Sequence, residues 1–405
     1  MNLLARVLLV GVLSGAISGA LASEESDPDI AAAAASMPST DASAAEEPVV
    51  VAPAGAGEVR SEAARLVAAM TVRERAASVV MGHLPTTDTS LLRTYMAEEG
   101  IAGFILMGAN IPADESALRA VTGSLTVDPT LPPLLAIDQE GGDVSRLPWD
   151  DFSAAPTLKD ADPGAAADAF AARASLVARA GASVNFGIVA DVTPDPGMFI
   201  YRRALGTDPA ASADRVVAAV HGEGARVAST LKHFPGHGAA PGDSHIGIPS
   251  TDMSMQEWSR TQAPPFVAGI DAGAPLLMFG HLSYTTVDDA PASLSSEWHR
   301  VAREELGFDG VAVTDDLGML QASGLPEYAD PVANGVAALA AGNDLLLTVL
   351  YSDAGSAERL VEGIVAAVER GEVSLERLTE ASERVTALRW ESAHTTLLPC
   401  ADCAQ

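Results

Sequence analysis

The chain has 405 residues, and its 54 acidic against 24 basic side chains leave a formal net charge of −30. That charge excludes nucleic acid and anionic membrane surfaces as partners, because both would be repelled. Hydrophobic residues at 48% exclude global disorder, and aromatic residues at only 4% leave few rings for an extended polysaccharide platform or for base stacking, so a small soluble ligand is the expected partner.

In chain order, Arg6 precedes an apolar run from Val7 to Ala22 that is broken by Gly and Ser and ends in Ala20-Leu21-Ala22. This predicts a secretory signal peptide over 1–22 and an exported protein, secreted or held in the cell envelope. The run is about 16 residues against the roughly 20 needed to span a bilayer, so no stable membrane insertion is expected after cleavage. Residues 23–58 hold eight acids and no base among Ala, Pro and Ser, and are read as a disordered linker. A folded domain is expected over 59–397. The tail 398–405 carries Cys400 and Cys403, for which a local disulfide is the expected state in an exported protein. A redox role would need a helix N-terminus to lower a thiol pKa, and the Pro399 context shows no sign of one.

Within the domain, short apolar runs alternate with helical stretches. The runs are 77–81, 102–107, 134–137, 183–189, 226–231, 276–279, 311–314 and 344–349. Each is mainly apolar rather than alternating, and reads as a strand buried on both faces. Amphipathic stretches at 160–180, 214–223, 297–306, 356–370 and 374–389 predict helices between and after them. Eight strands in this alternation predict an α/β fold, a single (β/α)8 TIM barrel. A doubly wound open sheet is the alternative, weakened by the lack of a Gly-x-Gly-x-x-Gly turn after an early strand.

Barrel chemistry sits on loops leaving the C-terminal ends of strands. Polar residues collect there after five successive runs: Asp138-Gln139-Glu140, then Asp191 with Arg202 and Arg203, then Lys232 to His245, then His281, then Asp315-Asp316. Any one of these has a plain structural explanation, such as a turn, a helix cap or a satisfied core histidine. Five together at one end point to a site. Lysine occurs only at Lys159 and Lys232, so its use in the third cluster stands out. His233, His237, Asp243 and His245 can be read as zinc ligands, but Pro235-Gly236 breaks the helical spacing of zinc proteases and no cysteine assists. The other reading is acid–base chemistry. A carboxylate two residues from an imidazole, as in Asp243 and His245, fixes its tautomer and favours its protonated form. Asp315, from a separate strand, can then act as a nucleophile from the opposite side.

The segments IDQEGG at 137–142, KHFPGHG at 232–238 with DSH at 243–245, and VTDDLGM at 313–319 resemble glycoside hydrolase family 3, in its branch of single-domain bacterial β-N-acetylhexosaminidases. NFGIVADV at 185–192 and RALGTDP at 203–209 extend the resemblance over about residues 65–390. It implies a (β/α)8 barrel, Asp315 rather than Asp316 as nucleophile, and His245 polarised by Asp243 as acid/base. Sugar-binding positions are implied at Asp138, Arg146, Arg203, Lys232 and His233. The implied activity is retaining, exo-acting removal of terminal β-linked N-acetylglucosamine from peptidoglycan fragments or chitin oligosaccharides, with no metal or organic cofactor. Phosphorolysis, another family β-glycosidase activity and a non-catalytic sugar-binding barrel are the alternatives. The chain departs from the branch at Asp143, often Arg, at Ala239-Ala240, usually polar, and at Gly318, commonly Ser or Asn.

Overall fold

The computed structural model describes residues 55–394. The expected signal peptide, the linker up to residue 54 and both cysteines lie outside the described residues. Two helices open the described chain, α1 (Ala56–Ala68) and α2 (Val72–Ala77). Helix α1 therefore begins inside the stretch read as linker. The alternation that follows is β1 (Val80–Gly82), α3 (Thr89–Glu99), β2 (Gly103–Leu106), α4 (Glu115–Leu125), β3 (Leu134–Ile137), α5 (Pro163–Arg179), β4 (Val184–Val189), α6 (Pro209–Glu223) and β5 (Ala228–Phe234). It continues with α7 (Ala263–Asp271), β6 (Leu276–Phe279), α8 (Ser296–Arg300), β7 (Val311–Thr314), α9 (Pro331–Ala341), β8 (Leu346–Leu347), α10 (Ser356–Arg370) and α11 (Leu375–His394).

The eight strands form one parallel sheet in sequence order. Strand β8 pairs back on β1 through Val80–Leu346 and Met81–Leu347, and meets β7 at a Val313–Leu345 bridge, so the sheet closes into the expected (β/α)8 barrel. Its lower interior is apolar. Met81, Ile105, Leu134, Phe186, Met278 and Val313 pack there against Val385 and Leu388 of α11, so the last helix plugs the N-terminal end and leaves the C-terminal end for chemistry.

Local sequence explains the helix starts and part of the acidity. Asp88, Asp114, Asp208 and Asp330 each accept backbone N–H bonds at the N-termini of α3, α4, α6 and α9, and Pro follows directly in the last two. Thr71 and Glu74 form a capping box on α2. One expected helix, 297–306, is split: a π-helical turn over Val301–Glu305 continues α8.

Aromatic side chains, though few, concentrate behind β5. The Phe234 ring lies 5.4 Å from Phe266, 5.0 Å from Phe279 and 5.8 Å from Trp298 in edge-on contacts. Trp258 Nε1 donates to the Pro235 carbonyl at 2.8 Å, and the Tyr284 hydroxyl donates to the Gly236 carbonyl at 2.7 Å. The rings fix from behind the turn that carries the mouth residues. Gly238 completes it, since a Cβ there would lie 2.0 Å from the Val192 carbonyl oxygen.

Candidate active site

The mouth of the barrel gathers the five polar clusters, and its floor is a web of buried charge. Lys232, at the end of β5, places Nζ 2.9 Å from Asp138 Oδ1 and 2.7 Å from Glu140 Oε1. Arg203, from the loop after β4, grips Glu140 with two bonds of 2.9 and 2.7 Å. Arg146 Nη2 reaches Asp138 Oδ2 at 3.3 Å. Burial by itself would raise the Asp138 carboxyl, but Lys232 and Arg146 outweigh it and bring it down to about 2. Glu140 is likewise held low against burial by Arg203 and Lys232, and burial fails to neutralise either cation because the carboxylates raise both. Glu140 thus joins Lys232 and Arg203, the two most buried cations of the web, although sequence reasoning gave it no role; its place in the quoted IDQEGG segment was the available signal.

The loop that presents Asp138 and Glu140 is held by its own neighbours. Gln139 Oε1 accepts the Arg146 and Leu147 amides, both at 2.9 Å, while Asn185 on β4 exchanges bonds of 3.1 and 3.0 Å with the Gln139 backbone. Asn185 in turn donates to Glu223 at 2.6 Å. Beneath the turn, Arg173 and Asp150 form a fully buried pair at 2.7 Å. Gly141 has φ +84°, and a Cβ there would lie 2.2 Å from Arg173 Nη2, so only glycine fits.

His233 faces the same space. Its Nδ1 donates to Asp191 Oδ2 at 2.7 Å, which leaves the Nε2 lone pair toward Arg203 Nη2 at 3.3 Å. Burial and the Arg203 charge hold the ring well below its usual pKa and therefore neutral. Asp191 also accepts the backbone N–H groups of His233 and His237, so its role is to shape the β5 turn.

The adjacent aspartates after β7 have different fates. Asp315 accepts the Asp316 amide at 2.8 Å. Burial would raise its carboxyl, but the polar groups that surround it, the Asp316 amide and the Lys232 charge among them, outweigh burial, so Asp315 lies below its ordinary value and is ionised. Asp316 points instead to the β8 loop, accepting from Gly318, Val349 and Leu350 amides at 3.0, 2.8 and 2.8 Å, and burial pushes it up to about 6. His281 bonds Ser293 Oγ at 2.7 Å and the Asp316 carbonyl at 2.8 Å, and so is a satisfied buried histidine that braces the Asp315 turn. A Cβ at Gly318 would lie 2.3 Å from the Leu350 carbonyl oxygen, so the branch's Ser or Asn would need the β8 loop to shift.

Asp243 and His245 meet on the loop after β5. Asp243 Oδ1 accepts both the His245 amide at 2.9 Å and Nδ1–H at 2.6 Å, so Nε2 is the nitrogen left to exchange a proton. Those bonds hold Asp243 low against burial. The four residues considered as zinc ligands are engaged in separate hydrogen bonds, His233 with Asp191, His237 with Ser244, and His245 with Asp243. Among the described residues no group of three or more His, Cys, Asp or Glu is placed to hold a metal ion.

Comparison with known proteins shows the family to which this barrel belongs. The model of the glycosyl hydrolase family 3 N-terminal domain matches residues 71–388. A β-hexosaminidase of Xylella fastidiosa is 33% identical over 296 residues, covering 69% of this chain and 86% of the relative. One from Xanthomonas campestris pv. campestris strain B100 is 35% identical over 254 residues, covering 60% and 76%. The structure of a glycoside hydrolase family 3 β-N-acetylglucosaminidase from Paenibacillus sp. str. FPU-7 superposes with a TM-score of 0.75 at 29% identity, covering 82% of this chain and 66% of that one. That of a β-N-acetylhexosaminidase from Beutenbergia cavernae gives 0.68 at 26% identity, covering 79% and 98%. A family model that spans the barrel from α2 to α11, over a mouth of this chemistry, means that the chain belongs to glycosyl hydrolase family 3 and is a glycoside hydrolase.

Proposed function

We propose that the protein is an exported, exo-acting, retaining β-N-acetylglucosaminidase. One observation carries the reading: an ionised, buried carboxylate, Asp315, and an Asp–His dyad open to solvent both belong to the loops at the barrel mouth, where Phe199 links His245, at 5.7 Å, to the Arg203 of the floor, at 5.6 Å. The paired floor of Asp138, Glu140, Arg146, Arg203, Lys232 and His233 supplies donors and acceptors for the hydroxyls of one terminal sugar, and the names of the relatives point to a hexosamine.

In the first step an Asp315 oxygen bonds to the anomeric carbon as the carbon–oxygen bond to the aglycone breaks, and the departing oxygen takes the proton from His245 Nε2. In the second, water adds to the anomeric carbon, its proton goes to the now neutral His245, and the Asp315 carboxylate leaves. Asp243 holds the ring orientation through both steps and offsets the imidazolium charge. The terminal β-N-acetylglucosamine belongs to a chitin oligosaccharide or a peptidoglycan fragment, and relative rates on chitobiose and a muropeptide disaccharide decide between them.

A slow fluorinated N-acetylglucosaminide should leave a covalent adduct, seen by intact mass and mapped to Asp315. An adduct on Asp316, or none in an active preparation, overturns the assignment. Asp315→Asn should lower kcat by at least about 10³-fold, since removing the nucleophile of a covalent mechanism leaves only binding and electrostatics.

A further inference from the structure

We infer that His237 and Ser244 are positioning residues that pin the Asp243–His245 dyad to the sugar-holding floor. The inference rests on the reading of His245 as acid/base. Ser244 is only 3% exposed although it lies between two open residues: the Asp243 side chain is 34% and the His245 side chain 57% exposed. Its hydroxyl meets His237 Nε2 at 3.1 Å. Among the described residues, the other hydrogen bonds of residues 241–247 stay within the loop: the Asp243 carboxylate accepts from the His245 amide and ring, and the Asp243 carbonyl accepts from the Ile246 amide. Gly242, at φ +113°, and Ile246, 76% exposed, add no anchor. One hydroxyl therefore ties the dyad loop to the barrel by hydrogen bonding.

The pin continues into the floor. The His237 amide donates to Asp191 Oδ1 at 2.5 Å, Asp191 Oδ2 accepts from His233 Nδ1 at 2.7 Å, and His233 faces Arg203 at 3.3 Å. Phe199 fills the angle above this line, its ring 5.5 Å from His237, 5.7 Å edge-on from His245, and 5.6 Å beneath the Arg203 guanidinium. His237 is 1% exposed and its Nδ1 has no hydrogen-bond partner. A stranded N–H is avoided only if the proton sits on Nε2 and is donated to Ser244, which fixes the direction of the bond. A general acid misplaced by about 1 Å loses most of its effect, so a single anchor of this kind is kinetically consequential.

Ser244→Ala removes the hydroxyl alone, and Ser244→Thr restores one. Measured as kcat/KM on a series of β-N-acetylglucosaminides, Ser244→Ala should lose roughly tenfold on poor leaving groups, which need the acid, and little on activated aryl groups, with Ser244→Thr close to wild type. His237→Phe should follow the same pattern. His245→Ala, run in parallel, should show the same leaving-group dependence more steeply. If Ser244→Ala matches wild type, or loses both substrate classes equally, while His245→Ala keeps its dependence, the pin is wrong and the acid assignment stands. If His245→Ala itself loses both classes equally, the underlying assignment is what fails.

Discussion

The floor of the mouth and the loop above it handle charge in opposite ways. On the floor, Lys232 and Glu140 have side chains only 2% and 5% exposed, and each touches two oppositely charged partners. Ions taken this far out of water are tolerable only when fully paired, so the pairing is a condition of folding as much as of binding. In the loop, Asp243 and His245 pair with each other, remain open to water, and are hydrogen-bonded to the barrel through the Ser244 hydroxyl between them. The difference separates two kinds of sensitivity: floor changes should cost stability and activity together, whereas loop changes should cost activity alone.

Glu140→Ala is the strongest way to break this comparison. It removes the shared partner of two buried cations and should destabilise the fold by about 3–5 kcal/mol, with loss of sugar binding, as read by denaturant unfolding and by activity. His245→Ala should leave unfolding within about 0.5 kcal/mol of wild type while slowing poor leaving groups by about 10²–10⁴. A Glu140→Ala protein as stable as wild type would show that the floor's pairing contributes nothing to the fold.

pH sharpens the same contrast from behind the floor. Glu223 supports Asn185, and burial pushes its carboxyl from an ordinary 4.5 up to about 7. Because the folded value is the higher one, the neutral form favours the fold. That contribution is complete below about pH 4.5 and is lost as pH rises through about 7, a loss of up to about 3 kcal/mol. Glu223→Gln should therefore melt above wild type at pH 8, with the advantage gone near pH 4.5. Asp138 acts at the other extreme. Its carboxyl lies at about 2 against an ordinary 3.8, so the stability it contributes is present above 3.8 and lost as pH falls toward 2.

How much of this was legible in the sequence depends on whether polar side chains interrupt the apolar pattern. The runs at 134–137, 276–279 and 311–314 coincide with β3, β6 and β7, where burial alone decides the outcome. Strand β5 extends three residues past its predicted end because Lys232 and His233 belong to the strand but turn polar groups into the mouth. Strand β1 begins later than expected because Ala77 closes α2, a helix that the Thr71–Glu74 capping box starts just before the run. Strand β8 is shorter because Asp344 is buried at its start, bound to Arg303, Arg377 and Arg384. Position after a strand was enough to collect the mouth residues. It could not separate Asp315 from Asp316, which differ in which backbone amides each carboxylate meets, and it carried no sign of Ser244, whose relevance comes from burial beside His237.

The smallest effect is expected where two ion pairs join the same two loops. Arg203–Glu140 is the inner rung and nearly buried; Arg202–Asp143, at 2.6 and 2.8 Å, is the outer rung, with side chains 66% and 42% exposed. Bond lengths hardly distinguish them, so solvent is the variable that does. Water and salt already screen the outer pair, and its loss exposes no unpaired buried charge. Asp143→Asn should therefore leave the melting temperature unchanged and alter kcat/KM by less than about threefold at about 0.15 M salt. It should do so although Asp143 is one of the positions where the chain departs from its branch. If Asp143→Asn proved as damaging as Glu140→Ala, burial would not be what divides the site, and the outer rung would have to act on the substrate directly.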